Sequence, residues 1–338
     1  MAYAQKRLNI LSLLVKEEAV PGVAETPAAG TDAVMIALPG DTPNMMPDEY
    51  DFDGSYGDNP AGMSPLPLIV PNGRSGTLEV QMYWRGYGSA YSGVNVSPNR
   101  FHALMKGCGH SAAVTTTGGS EKIEYTLQGD DVVPTHLTME GWGRQVLGAS
   151  NLVKSTLIGG LGSLSIDAPD LKPPLFKFSY KGIFPSDPAE AAFTLPTLTQ
   201  TPAVPAMPMT FSIDGTALKT HGWSYEQGRD LSSPRVAQTD GHLGFIAGGN
   251  RPMLKVTIED TLFATFKGYT KRGSAATAAI ICGWNQSVQY NRFKITAPTA
   301  QIAKVTPAGK GKLGLMDLEI LCTPSSVILN NGITFTTD

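Results

Sequence analysis

Apolar and polar residues alternate in segment after segment of this chain, and that period of two limits its fold more than any other feature. In GLMDLEILC (314–322), Gly314, Met316, Leu318, Ile320 and Cys322 point one way, and Leu315, Asp317, Glu319 and Leu321 point the other. Such a stretch is a strand with one buried face. In a lone sandwich the second face would be polar and turned to water. Here it mixes two acids with two leucines, so something besides bulk solvent is expected against it.

The same period marks TLEVQMYW (77–84), KIEYTLQ (122–128), HLTMEGW (136–142), GSLSIDA (162–168) and LFKFSYKG (175–182). It returns in PMTFSIDG (208–215), LKTHGWSY (218–225), MLKVTIED (253–260), AAIICGW (278–284) and RFKITAP (292–298). Two short helices interrupt the strands. In SPNRFHALMKGCG, Ser97 suits an N-cap, Pro98 the first helical position and Gly107 a stop. TLFATFKGYT (261–270) is the second. The expected class is mainly β.

A chain of 338 residues is long for one ordinary core and suggests two domains. The boundary falls at residues 184–208, where six prolines in 25 residues fix φ and remove ladder donors, leaving an extended linker. Residues 76–183 then form a first β-module and 209–338 a second. Residues 1–75, counted as part of the first module, hold two strand candidates, LNILSLLV (8–15) and AVMIAL (33–38), followed by a long turn-rich arm. The arm's recurring apolar residues, among them Tyr50, Phe52 and Tyr56, argue against simple disorder and predict an arm that folds onto a neighbouring subunit.

The two halves share markers in the same order. Leu78–Met82 parallels Leu254–Ile258, and Met105-Lys106-Gly107 parallels Phe266-Lys267-Gly268. Ile166-Asp167-Ala168-Pro169 parallels Ile295-Thr296-Ala297-Pro298, and the strand from Leu175 parallels the strand from Leu315. An internal duplication is expected, with gaps in both directions. The segment HLTMEGWGRQVLGASNLVKSTLIGG (136–160) stands out as extra in the first half, or else matches in part FSIDGTALKTHGWSYEQG (211–228), since Gly141 and Gly148 have the spacing of Gly215 and Gly222.

Catalytic signatures are missing: the sequence has no G-x-S-x-G elbow, no phosphate-binding Walker loop, no C-x-x-C and no H-E-x-x-H. His102, Cys108 and His110 are soft-metal ligand types, but the ordinary reading is a helix end with one buried thiol and two surface imidazoles. Asp51, Asp53 and Asp58 approximate a calcium loop that fails at Gly62, where a bidentate glutamate is required. His221 and His242 lack a nearby nucleophile pattern. We expect no enzyme, no cofactor and no metal.

Charge points the same way. With 26 basic and 29 acidic residues, the net charge of −3 offers no basic stripe for gripping nucleic acid. Charged residues make up only 16% of the chain, so much of the surface is neutral and suited to being covered by partners. Three widely spaced cysteines form no disulfide framework, the N-terminal apolar run ends at Lys16-Glu17-Glu18 without a cleavage site, and no apolar stretch reaches a membrane-spanning length. These features predict a soluble protein made in a reducing cytoplasm.

The opening ILSLLVKEEAVPGVAETPAAGTDAVMIAL, and the succession GTLEVQMYW, FHALMKGCG, KIEYTLQ, HLTMEGWGRQVLGAS, SLSIDAPDLKPPLFKFSYKG and LMDLEILCTPSS, resemble the tail tube (major tail) proteins of long-tailed bacteriophages over nearly the full length. The resemblance implies β-sandwich or barrel modules with a flanking helix, whose sheets join side by side around a ring. It implies two tube modules per chain, a trimeric ring with pseudo-sixfold symmetry, and rings stacked into a tube that conducts double-stranded DNA into the host. Its partners would be further copies of itself and other tail proteins such as the tape measure and terminator, its place the virion tail, and its tail a long, non-contractile one. On this reading Asp317, Glu319, Lys177 and Lys181 are candidates for the lumen or a subunit contact, and Tyr50, Phe52 and Tyr56 for an inter-ring arm. The alternative is a carbohydrate-binding or adhesin-like tandem sandwich presenting Tyr83, Trp84, Tyr87 and Tyr91.

Overall fold

The computed structural model describes residues 9–34, 45–47, 75–84, 101–115, 122–129, 132–144, 152–169, 172–185, 189–194, 209–232, 244–260, 266, 268–273, 277–284, 293–310, 313–323 and 330–337. The fold is mainly β and its ladders are antiparallel. The first half holds β1 (Asn9–Glu17), β2 (Ala33–Val34), β3 (Met45–Pro47), β4 (Ser75–Tyr83), α1 (Phe101–Gly107), β5 (His110–Thr115), β6 (Lys122–Gln128), β7 (Leu137–Arg144), β8 (Leu152–Ala168), β9 (Leu175–Ile183) and β10 (Ala189–Ala191). The second holds β11 (Met209–Ile213), β12 (Thr216–Leu218), β13 (Thr220–Glu226), β14 (Leu231–Ser232), β15 (Ile246–Ala247), β16 (Met253–Glu259), α2 (Gly268–Lys271), β17 (Thr277–Trp284), β18 (Phe293–Lys310), β19 (Leu313–Cys322) and β20 (Asn330–Thr337).

Two ladders have the same order. In the first half β2 pairs with β1, β1 with β7, β7 with the start of β8, the end of β8 with β9, and β9 with β4. In the second, β12 pairs with β11, β11 with β17, β17 with the start of β18, the end of β18 with β19, and β19 with β16. Register agrees as well as order. Gln81, Val80 and Glu79 stand opposite Lys177, Phe178 and Ser179, and Thr257, Val256 and Lys255 stand opposite Asp317, Leu318 and Glu319. The offset that takes Gln81 to Thr257 and the offset that takes Lys177 to Asp317 are the two that align these strands in the sequence.

Other markers shift. Ile166 lies opposite Phe176 in the second part of β8, whereas Ile295 lies opposite Cys282 in the first part of β18. Leu164, opposite Phe178, occupies the place that Val305 takes opposite Leu318. The stretch 136–160 is no insertion: it supplies β7 and the start of β8, which answer to β17 and the start of β18. The proline-rich stretch also contributes a strand, since β10 pairs with β8. Of the helix expected over 261–270, α2 covers Gly268–Lys271, while residues 261–265 and 267 lie outside the described residues.

Long β8 and β18 serve two neighbours in succession because each is bent at an irregularity, between Ile158 and Leu161 and between Ile302 and Lys304. Gly159 carries the first bend at φ +64, a conformation open to glycine. Its N–H donates to Glu18 Oε1 at 2.7 Å, and Glu18 also accepts from Thr138 Oγ1 and the Gly22 N–H, which pins the loop after β1 to the bend.

One apolar core runs through both halves. Trp84 is fully buried, with ring centroids 4.7 Å from Phe101 of α1, 5.1 Å from Phe176 of β9 and 4.9 Å from Phe293 of β18. Met316, Leu318, Ile320 and Cys322 belong to the same core, with Val256, Tyr225, Phe178 and Leu164. Two ladders also cross between the halves: β13 pairs with β8 on one side and β16 on the other, and β20 pairs with β6.

Candidate functional site

Because β13 is bonded on both edges, β4, β9, the end of β8, β13, β16, β19 and the end of β18 form one run of seven strands. Residues directly opposite in a ladder share a face. One register row therefore crosses the whole run: Lys304, Glu319, Lys255, Ser224, Asp167, Leu175 and Tyr83. The next row is Gln301, Leu321, Met253, Glu226, Ser165, Lys177 and Gln81. Asp317 adjoins these rows opposite Thr257, and Lys181 lies two residues beyond Ser179 on the same side. The four sequence candidates Asp317, Glu319, Lys177 and Lys181 thus share one continuous face, although they come from different halves of the chain.

This face is polar while its reverse fills the core, because every strand in the run alternates. Its side chains are mostly half-buried by one another, and Asp167, Ser224, Lys255, Thr257, Asp317 and Glu319 line a shallow groove along it. The charges are organised. Lys177 pairs with Asp167 at 3.0 Å, Lys255 with Glu226 at 3.6 Å and Lys304 with Glu319 at 3.4 Å. Thr257 Oγ1 donates to Asp317 Oδ1 at 2.7 Å. At the end of β16, Glu259 lies 3.3 Å from Lys219 and 3.5 Å from His221. The mixed second face of GLMDLEILC is answered by this sheet: Asp317 and Glu319 lie across from Thr257 and Lys255, and Leu315 is buried beside them.

Asp167, Glu226, Lys255 and Lys304 were not singled out from the sequence. Their period-two parity with Asp317 and Lys177 was readable, but nothing local says which strands become neighbours.

The soft-metal trio does not assemble as ligands. His110 is buried, not a surface imidazole, and its Nδ1–H donates to the Met105 carbonyl at 3.1 Å. Burial, aided by nearby Arg229, lowers its pKa to about 3. His102, beside Lys106 and Glu17, is lowered to about 4, chiefly by burial. Burial pushes the Cys108 thiol up to about 12, and Cys108 Sγ contacts Tyr180 Oη at 3.5 Å, so it is an inert thiol. Among the described residues no three His, Cys, Asp or Glu side chains cluster as a metal site, and no helix is long and apolar enough to cross a membrane.

The aromatic platform of the alternative reading loses its centre, since Trp84 is a core residue. Tyr83 stands at the end of a row on the polar face. Tyr87 and Tyr91, the arm residues Tyr50, Phe52 and Tyr56, the acids Asp51, Asp53 and Asp58, and His242 all lie outside the described residues. No protein-family model matches the chain, and no curated protein matches it.

Proposed function

We propose that this chain is a structural protein, a tail tube subunit of the long-tailed bacteriophage type. Its two halves act as tandem tube modules, and three copies close into a ring with pseudo-sixfold symmetry. Stacked rings make the conduit through which double-stranded DNA leaves the virion, with the tape measure and terminator as further tail partners. The protein is made in the host cytoplasm and acts without catalysis or cofactor.

The observation that carries this reading is the pair of ladders of equal order and register, laid side by side by β13 into one sheet with a continuous polar face. A module that repeats within a chain by lateral sheet addition is built for repeating the same addition between chains. Edges support it too. Among the described residues, Lys304–Lys310 of β18 has a ladder only with β19, the turn after α2 bonding the strand earlier at Ile302, and Glu79–Tyr83 of β4 has a ladder only with β9. Exposed edges template association, and a closed ring removes them.

Electron microscopy of the purified protein is the test. Rings or tubes around a central hole, with three copies per ring and six similar lobes, are expected. Compact monomers at every concentration would refute the reading.

A further inference from the structure

The polar face carries an ordered pattern of charge. Crossing the run strand by strand from β18 to β4, it presents Lys304, Glu319, Lys255, Glu226, Asp167, Lys177 and Glu79. Each of the three lysines in that series is held by an acid of the adjacent strand, at 3.4 Å (Glu319), 3.6 Å (Glu226) and 3.0 Å (Asp167). The pairs arise in both halves and across the ladder of β13 with β16, so they do not belong to one module. Exposed pairs of this kind add little to stability, so holding the fold together does not account for them.

We propose that Asp167, Glu226 and Glu319 form a charge mask, neutralising Lys177, Lys255 and Lys304 so that the wall does not hold a polyanion passing along it. This rests on the tube reading, in which the face lines the conduit and the polyanion is duplex DNA. Free lysines repeated around a ring would bind phosphates by releasing their counterions. A wall of bare acids would oppose entry along the whole duplex. Opposite charges a few ångströms apart produce a field that cancels over a short distance, inside the roughly 8–10 Å over which salt screens single charges. Lys181, Glu79 and Asp317 lie outside the three pairs, and with both signs among them the face stays close to charge balance.

The test compares assembled tubes of wild-type protein, of an Asp167→Asn, Glu226→Gln, Glu319→Gln variant, and of a control variant. The control carries Glu17→Gln, Glu25→Gln and Glu124→Gln, which free Lys106, Lys16 and Lys122 away from this face with the same change in net charge. Tubes are incubated with short linear duplex DNA, treated with nuclease, pelleted, and the protected DNA is measured. The face variant should retain about tenfold more protected DNA than wild type, with a steep loss at high salt, while the control stays at the wild-type level. Equal retention by both variants, or none by the face variant, overturns the mask. Should the triple variant not form tubes, Asp167→Asn alone, compared with Glu124→Gln alone, makes the same test at Lys177. Wild-type protein that forms rings but shows no difference between variants overturns the mask and leaves the tube; wild-type protein that forms no ring overturns the tube itself, and the mask with it.

Discussion

His110 sits at 1% exposure with its Nδ1 proton on the Met105 carbonyl, and His102 is packed between Glu17, Lys106 and Tyr125. Both resist protonation in the fold, with pKa values of about 3 and about 4, whereas in the unfolded chain each takes a proton near 6.5. Between those limits the unfolded state binds more protons, so stability is full above pH 6.5 and falls as the pH drops. The loss is about 1.4 kcal/mol per pH unit for each histidine. Denaturant midpoints measured from pH 7.5 to 4.5 should decline accordingly, and a His110→Gln variant should show a shallower decline. Gly162 makes a second point at this scale. A Cβ there would lie 2.4 Å from Tyr180 Cε1 and 2.9 Å from Cys108 Sγ, so Gly162→Ala should cost roughly 1–3 kcal/mol in urea unfolding. Neither the buried imidazole nor the tight glycine has a local signature, because both depend on what α1 and β9 bring against them.

Among the elements, β13 matters most for the architecture. Only seven residues long, it completes ladders with β8 and β16 and so turns two sheets into one. Proline in a strand bonded on both edges removes a ladder donor and clashes, at a cost of roughly 3 kcal/mol or more. Ser224→Pro should therefore destabilise the whole chain by that amount and abolish any ring seen by microscopy. Ser232→Pro, in the isolated β14–β15 ribbon, should leave assembly intact. Long β18 shows how far element boundaries escape a sequence reading. RFKITAP announces its start, yet the strand continues through Pro298 and Pro307 to Lys310. Pro307 is accommodated where β18 has a ladder on one side only among the described residues.

At the scale of the molecule, the two ladders share a core. Trp84 against Phe293, and β6 against β20, bury surface that neither half could bury alone. Calorimetry should give one cooperative unfolding transition with equal calorimetric and van't Hoff enthalpies. Two resolved transitions would show that the halves fold as separate domains on either side of the proline-rich stretch.

Period two, read along the chain, is enough to establish a mainly β protein, the inward face of Leu78, Phe178, Val256 and Leu318, and the matching register of β4 on β9 and of β16 on β19. Those properties are local, since side chains alternate about a strand whatever lies beside it. Which strands become neighbours is another matter. The meeting of Asp167 with Lys177, the placing of Glu226 beside Lys255, and the joining of an acidic strand face with a basic one on one sheet surface required the tertiary structure. Pairing joins residues far apart in the chain, and it is decided by which closures bury the shared core around Trp84, an outcome that no single segment encodes.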